Sequence, residues 1–376
     1  MFFLVGIFLA VFLLLLLLLK KNKSEADIVL AIWLFLIMVN QLFNYLQVTG
    51  DLFNYPHLLG VDFPFPVLNG VFLFFYAMTV TGNNFKRKWF VGIHLLPALS
   101  LVILAIPFYM LSAEEKVFVF ENDGKGFEWY VIYSNTLIPL SGFVYAVWTL
   151  LLIRGHRVKI QKNFSNTDKK ELQWLMYLSL GLIVIWLVAI FFDNIVIYSA
   201  VALFVLFIGF FGINQLNIFN TFQDESPTAS SPKTTQKKRK TNKSLIAPSK
   251  RYAKSGLNEE MASQIYTRLN EAMSKSTLYK NENLTLTELA KFLKVHPNHL
   301  SQVINESEGK NFYNYVNSIR IKEFIALASQ PENKKYTMIS LAYDVGFGTK
   351  STFNKHFKAN TGKTPTEFFD TTPVDS

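Results

Sequence analysis

Apolar residues crowd the chain up to about Asn220 and thin out sharply beyond it. Before that point they form stretches at 2–19, 28–48, 66–82, 89–111, 129–153, 173–192 and 195–216. A helix crosses a bilayer with about 20 mostly apolar residues, so the pattern predicts seven spanning helices. The first stretch has no basic residue before Leu13–Leu19 and no small-residue cleavage site after it, and Lys20-Lys21 stops it directly. It reads as a retained helix rather than a removed signal peptide.

Beyond the polar break the apolar residues return at helical spacing. Leu257, Met261, Ile265, Leu269 and Met273 recur every four residues, the mark of an amphipathic helix; packing onto the domain that follows is favoured over a dimer seam. A pattern then appears twice. Leu289-Ala290, Leu300, Ile304 and Gly309-Lys310 recur as Leu341-Ala342, Phe353, Phe357 and Gly362-Lys363. The offset is 52 residues before the internal turn and 53 after it, so the second turn is one residue longer.

Each copy reads as helix, turn, helix. Thr285-Leu286-Thr287-Glu288 is a capping box opening the first helix, with Leu286, Leu289, Ala290 and Leu293 inward. Val295-His296-Pro297 makes the turn, Pro suiting the first position of the next helix. That helix, about 297–305, buries Leu300, Val303 and Ile304 and shows Asn298, His299, Ser301 and Gln302. In the second copy, Met338, Ile339, Leu341, Ala342 and Val345 build the support and Gly346-Phe347-Gly348 the turn. The following helix, about 350–359, buries Phe353 and Phe357 and shows Lys350, Ser351, Thr352, Asn354 and Lys355. His356 aligns with the buried Val303 and reads as a core or boundary residue. A long helix, about 311–329, joins the copies through Phe312, Tyr315, Val316, Ile319, Ile321 and Phe324. Short amides suit adenine edges, and two such units in one chain suit neighbouring stretches of one major groove.

Charge orients the apolar half. With the N-terminus outside, the inner loops hold twelve basic residues, among them Lys20, Lys21, Lys86, Arg87, Arg154, Arg157, Lys169 and Lys170. The outer loops hold two, Lys116 and Lys125. That asymmetry predicts a multi-pass protein of the cytoplasmic (inner) membrane, with everything after Asn220 in the cytoplasm. The net charge of +10 divides into about +2 over 1–219, +7 over 220–255 and +1 over 256–376. The basic excess is therefore a property of the Ser/Thr/Pro/Lys-rich stretch, which reads as a disordered tether open to anionic lipid or to DNA phosphates.

Asn40, Asn44 and Gln47 share one face of the second span, and Asn69, His94 and Asn135 lie in or near others. Hydrogen bonding between helices is the plainer reading of these residues; a ligand-lined cavity is the alternative. No acidic residue stands in mid-span, so the usual ion-coupling signal is missing. The outer loop 112–128, acidic and flanked by Phe118, Phe120, Phe127, Trp129 and Tyr130, suits an interfacial aromatic belt more than a ligand site.

The stretch from about 257 to 370 resembles the AraC/XylS family of bacterial transcription regulators. The segments LTLTELAKFLKVHPNHLSQVINESEGKNFYNYVNSIRI and SLAYDVGFGTKSTFNKHFKANTGKTPTEF carry the resemblance. It implies a seven-helix domain with two helix-turn-helix subdomains on a linker helix. By position, base contact falls to Asn298, Ser301 and Gln302 in the first unit, and to Lys350, Ser351, Thr352 and Lys355 in the second. Backbone contact falls to Lys310, Asn311, Lys363 and Thr364, just past each recognition helix, where a helix start can meet phosphate. Many members carry a soluble sugar-binding domain in front. The apolar half instead resembles the membrane-bound regulators of this family, so no sugar ligand carries over.

Other chemistry finds no footing. Gly346-Phe347-Gly348-Thr349-Lys350-Ser351 lacks the spacing of a phosphate loop. His296 and His299 have no cysteine or third ligand nearby. No Ser/His/Asp set stands out, and the chain contains no cysteine. The expectation is therefore an all-α protein without cofactor, metal or catalytic site. It comprises a seven-helix transmembrane bundle (1–219), a flexible basic linker (220–255) and an AraC-type all-helical domain (256–376). Within that domain the helix-turn-helix units lie at about 285–306 and 337–359. The expected function is sequence-specific regulation of transcription, as an activator or a repressor, from the membrane. Double-stranded promoter DNA and the lipid bilayer are the expected partners. RNA polymerase, an unidentified signal ligand and a second copy of the chain stand as further candidates. The alternative is a membrane receptor or transporter whose basic tail is a protein scaffold.

Overall fold

The computed structural model describes residues 2–83, 88–168, 172–192, 196–197, 199–208 and 257–370. The expected tether 220–255 lies outside them. Among the described residues all regular structure is helical, apart from one isolated antiparallel bridge between Phe164 and Thr285. The chain divides into two compact units. One comprises Met1–Gly155 and Leu172–Ala229; the other comprises His156–Glu171 and Ser230–Ser376. The short segment after residue 155 therefore folds with the C-terminal unit, which the expected boundary at 219 did not foresee.

The first unit is built from α1 (Phe2–Leu19), α2 (Glu25–Thr49), α3 (Phe65–Val80), α4 (Lys88–Leu104), α5 (Ile106–Tyr109), α6 (Ala113–Glu121), α7 (Glu128–Asn163), α8 (Gln173–Phe191) and α9 (Ser199–Ile208). Three of these, α2, α7 and α8, are long and apolar enough to cross a membrane; α1, α3, α4 and α9 are shorter apolar helices. The expected span 89–111 is broken after Leu104. Pro107 explains the break, because it has no N–H to donate to the carbonyl four residues back and its ring crowds that carbonyl, so the chain restarts as α5 with the proline in its first turn. The last turns of α7 belong to the second unit.

Trp33, Leu34, Leu73, Ala77, Ala146, Leu175 and Leu178 meet in the interior of this unit. Large apolar side chains such as Phe8, Ile132 and Leu151 point outward, the reverse of a soluble protein's habit. α2 opens on a capping box: Ser24 Oγ accepts from Asp27 N, and Asp27 accepts from Ser24 N and from Lys20 Nζ, the last at 2.7 Å. Within the bundle, Trp33 Nε1 donates to Asn69 Oδ1 at 3.1 Å, and His94 Nδ1 pairs with the Tyr145 hydroxyl at 2.9 Å.

Asn40, Asn44, Asp62, Asn69 and Trp186 converge on a cavity of about 140 Å³ closed by Leu182, Ile185, Val201 and Phe204. Asp62 Oδ1 and Trp186 Nε1 are shut off from solvent and bond nothing in the protein. Burial pushes the Asp62 carboxyl up to about 6. Of the polar residues singled out in the sequence, Asn40, Asn44 and Asn69 line this space, Asn135 is exposed, and His94 is committed to Tyr145.

The second unit contains α10 (Glu259–Lys275), α11 (Leu286–Phe292), α12 (Pro297–Glu308), α13 (Phe312–Ala328), α14 (Met338–Asp344), α15 (Lys350–Thr361) and α16 (Pro365–Asp370). Leu257, Ile265, Leu269 and Met273 pack into the same core as Leu289, Leu300, Phe312, Phe324, Phe353 and Phe357. α10 thus belongs to the domain rather than to a free seam. Met261 departs from the expected face: it is 44% exposed, and Ala262 turns inward instead. A strict four-residue spacing overruns the 3.6-residue turn, so the inward face drifts along the helix.

Candidate nucleic-acid interface

Local signals place both helix pairs. Thr285 Oγ1 accepts from Glu288 N at 3.1 Å, and Glu288 Oε2 accepts from Thr285 N at 2.8 Å. This capping box satisfies two orphan amides at the start of α11. Lys294 turns the chain at φ 53, and His296 Nδ1 then accepts from Asn298 N at 3.2 Å to cap α12, with Pro297 at its first turn. In the second pair, Thr337 caps α14 and Thr349 caps α15. Gly309 and Gly362 end the two recognition helices in left-handed conformation, as their aligned positions require. The second turn rests on Gly346 at φ 98. A Cβ there would lie 2.6 Å from the Tyr279 carbonyl oxygen and 2.8 Å from that of Lys280, so only glycine fits.

Buried residues hold the two recognition helices on one framework. Leu300, Val303 and Ile304 seat α12; Phe353, His356 and Phe357 seat α15. His356 is 4% exposed, in line with its reading as a core residue, and packs edge-on against Tyr313 with ring centres 4.7 Å apart. The joining helix α13 carries what sequence reasoning missed: Tyr313, Asn317 and Arg320 are all buried. Arg320 Nε donates to Tyr279 O at 2.8 Å, and its Nη atoms donate to Asn281 O at 2.7 Å and Asn317 Oδ1 at 3.0 Å. Desolvation lowers the guanidinium pKa to about 10, which leaves it charged at neutral pH.

The side chains read as base contacts fall as follows. Asn298 is exposed on α12, while Ser301 and Gln302 are half-buried, with Gln302 Nε2 donating to Glu306 Oε1 at 2.9 Å. Lys350, Ser351 and Lys355 are exposed on α15. Thr352 is buried, and its hydroxyl donates to Asp168 Oδ1. Of the residues read as backbone contacts, Lys310 Nζ donates to Ser318 Oγ at 3.1 Å and lies 3.9 Å from Glu308. Asn311 Oδ1 caps α13 by accepting from Asn314 N at 2.9 Å. Lys363 is exposed, and Thr364 forms a capping box with Glu367 at the start of α16, whose backbone and hydroxyl hold the Glu367 carboxyl below its usual range.

An open groove of about 960 Å³ runs along α15; Met338, Ile339, Phe353, Ala359 and Pro365 form an apolar floor, and Lys350, Asn354, Lys355, Lys358, Thr364 and Thr366 complete a lining without acidic residues. Lys355 Nζ stands 5.8 Å from the Tyr313 ring centre, which steadies the lysine over the groove. Lys358 was not among the expected contacts. It stands three residues after Lys355 on the same helix, so helical spacing makes the two neighbours.

The family of helix-turn-helix domains matches residues 289–371, which run from within α11 through α12, α13, α14, α15 and α16. Residues 289–371 are an AraC-type helix-turn-helix domain. A relative in Staphylococcus aureus (strain COL), titled an uncharacterized HTH-type transcriptional regulator, is 27% identical over 101 residues. The match covers 27% of this chain and 13% of that protein's length. No solved structure matches the chain. The family match lies in the C-terminal part of the chain, and the chain spans only a small part of that relative's length.

Proposed function

We propose that the chain is a membrane-anchored, sequence-specific regulator of transcription whose AraC-type domain reads promoter DNA from the cytoplasm. The observation carrying this reading is the pair α12 and α15, each ended by a left-handed glycine and seated on one core through α13, with a groove beside α15 that three lysines edge. Phosphates would enter that groove while the first turns of α12 and α15 meet base edges. Asn298, Ser301 and Gln302 would read one stretch of major groove, and Lys350, Ser351, Thr352 and Lys355 the next. Lys310, Asn311, Lys363 and Thr364 would meet phosphate.

The N-terminal unit serves as anchor and sensor, with seven spans and an outside N-terminus. Its outward apolar side chains and the loop charges support the anchor; the polar cavity around Asp62 supports a small-molecule signal. The test is selection of duplexes from a random pool by the full chain in lipid nanodiscs, paired with a reporter fused at Ser376. Recovery of a defined sequence and a cytoplasmic reporter are expected. Equal retention of all sequences, or a reporter outside the cell, overturns the reading.

A further inference from the structure

The segment after α7 occupies the end of the second recognition helix. Asp168 accepts from the Thr349 hydroxyl at 2.7 Å through Oδ2 and from the Thr352 hydroxyl through Oδ1. A hydroxyl has one proton to give. Both are spent on this carboxylate, so neither is left for a phosphate or a base acceptor. A carboxylate at that place also repels the phosphate backbone, and the N-terminal end of α15 that favours Asp168 would favour DNA phosphate for the same reason.

The rest of the segment is held as firmly. Ser165 is wholly buried. Its N–H donates to Leu284 O at 3.0 Å, its carbonyl accepts from Asn317 Nδ2 at 3.0 Å, and its hydroxyl accepts from Arg320 Nη2 at 3.3 Å. Asn166 Nδ2 donates to Glu282 Oε1 at 2.7 Å, and Asn166 Oδ1 accepts from Asp168 N at 3.0 Å. Against this contact stands Gly348, where a Cβ would lie 2.8 Å from Asn166 Nδ2. In the last turn of α7, just before this segment, Gln161 Oε1 accepts from Asn311 Nδ2 at 3.5 Å, so a second residue read as a DNA contact touches the chain leading into it.

We propose that Phe164–Asp168 is an intramolecular latch, whose Asp168 carboxylate competes with DNA for the Thr349–Thr352 end of α15. The proposal rests on the reading of α15 as a recognition helix and supplies its regulation. The segment continues directly from α7, and Leu172 just beyond it opens α8; both helices are long and apolar enough to cross a membrane. A signal that shifts either helix therefore pulls on the latch through the chain itself. Two states with different DNA affinity then follow, as coupling requires.

Because the chain contains no cysteine, Asn166→Cys with Glu282→Cys offers one reactive pair across the latch. The full-length double variant in nanodiscs is joined by a short bis-methanethiosulfonate, each cysteine thiolate displacing a sulfinate to form a reducible disulfide. Its affinity is measured for the duplex that the uncrosslinked chain selects from a random pool. Closing the crosslink is expected to weaken binding by about tenfold or more, the scale of one charge-assisted hydrogen bond, and reduction to restore it. In the unaltered chain, saturating duplex is expected to speed hydrogen exchange at 164–168. Equal affinity with the crosslink closed, or unchanged exchange at 164–168, overturns the latch and leaves the DNA reading standing. Failure of the reduced chain to select any sequence instead removes the DNA reading of α15, and the latch with it.

Discussion

The Arg320 guanidinium lies 5.9 Å from the ring centre of Phe347, so a charge on the joining helix is packed against the turn of the second helix-turn-helix unit. The same group donates to the Tyr279 and Asn281 carbonyls, which precede the first unit. One side chain thus ties the two reading units and α13 into a rigid frame. Two recognition helices can meet successive groove segments only if their spacing is fixed.

Replacing Arg320 by Met keeps bulk but orphans those carbonyls. At roughly 1–3 kcal/mol for each buried group left unpaired, Arg320→Met is expected to cost about 3 kcal/mol or more. Hydrogen exchange across 257–370 checks this, since protection should fall throughout the unit. Loss confined to the 279–282 turn would show that Arg320 braces only that turn.

At Gly346, φ 98 and the crowding Tyr279 and Lys280 carbonyls combine. Gly346→Ala is expected to destabilise by about 3 kcal/mol or more, left-handed strain of about 1–3 kcal/mol adding to the clash. Gly362→Ala, where nothing crowds the site, is expected to cost only the strain. Comparing the two by chemical denaturation separates the terms; equal losses would remove the steric argument.

Contacts on α15 should divide by chemistry. Lys355→Ala, and Gln302→Ala on α12, are expected to cost about 1–3 kcal/mol and to relax preference at one base position each. Lys358→Ala is expected to weaken all duplexes alike and to lower the salt slope by about 1. Binding titrations at several salt concentrations distinguish these outcomes. A uniform loss in Lys355→Ala would reassign that lysine to phosphate.

Asp62 carries a pH signature. Its folded-state pKa is raised from 3.8 to about 6 by burial, so between those values the folded protein holds a proton that the unfolded chain releases. Stability therefore declines as pH rises through about 4 to 6, the opposite of a paired carboxylate. Thermal inactivation of the nanodisc-held chain should show this slope, and Asp62→Asn should flatten it. A slope that survives in Asp62→Asn belongs to another group.

Much of the domain was legible because its signals are local. Thr285 and Glu288 cap α11 from three residues apart. Gly309 and Gly362 end their helices where a left-handed residue is needed, and the alternation of Leu300, Val303 and Ile304 marks one buried stripe. Each rests on backbone geometry or helical period within a few residues, so the all-helical class and the doubled helix-turn-helix were determined by sequence alone. Other features were decided only by tertiary structure. Asp62 joins the cavity with Asn40 and Trp186 from separate elements. Arg320 looks like a surface residue until α13 is packed, when Tyr279 and Asn281 close over it. Asp168 stands 184 residues from Thr352 and meets it across the fold. No periodicity encodes such meetings, because a hydrogen bond depends on distance in space while a pattern records only distance along the chain.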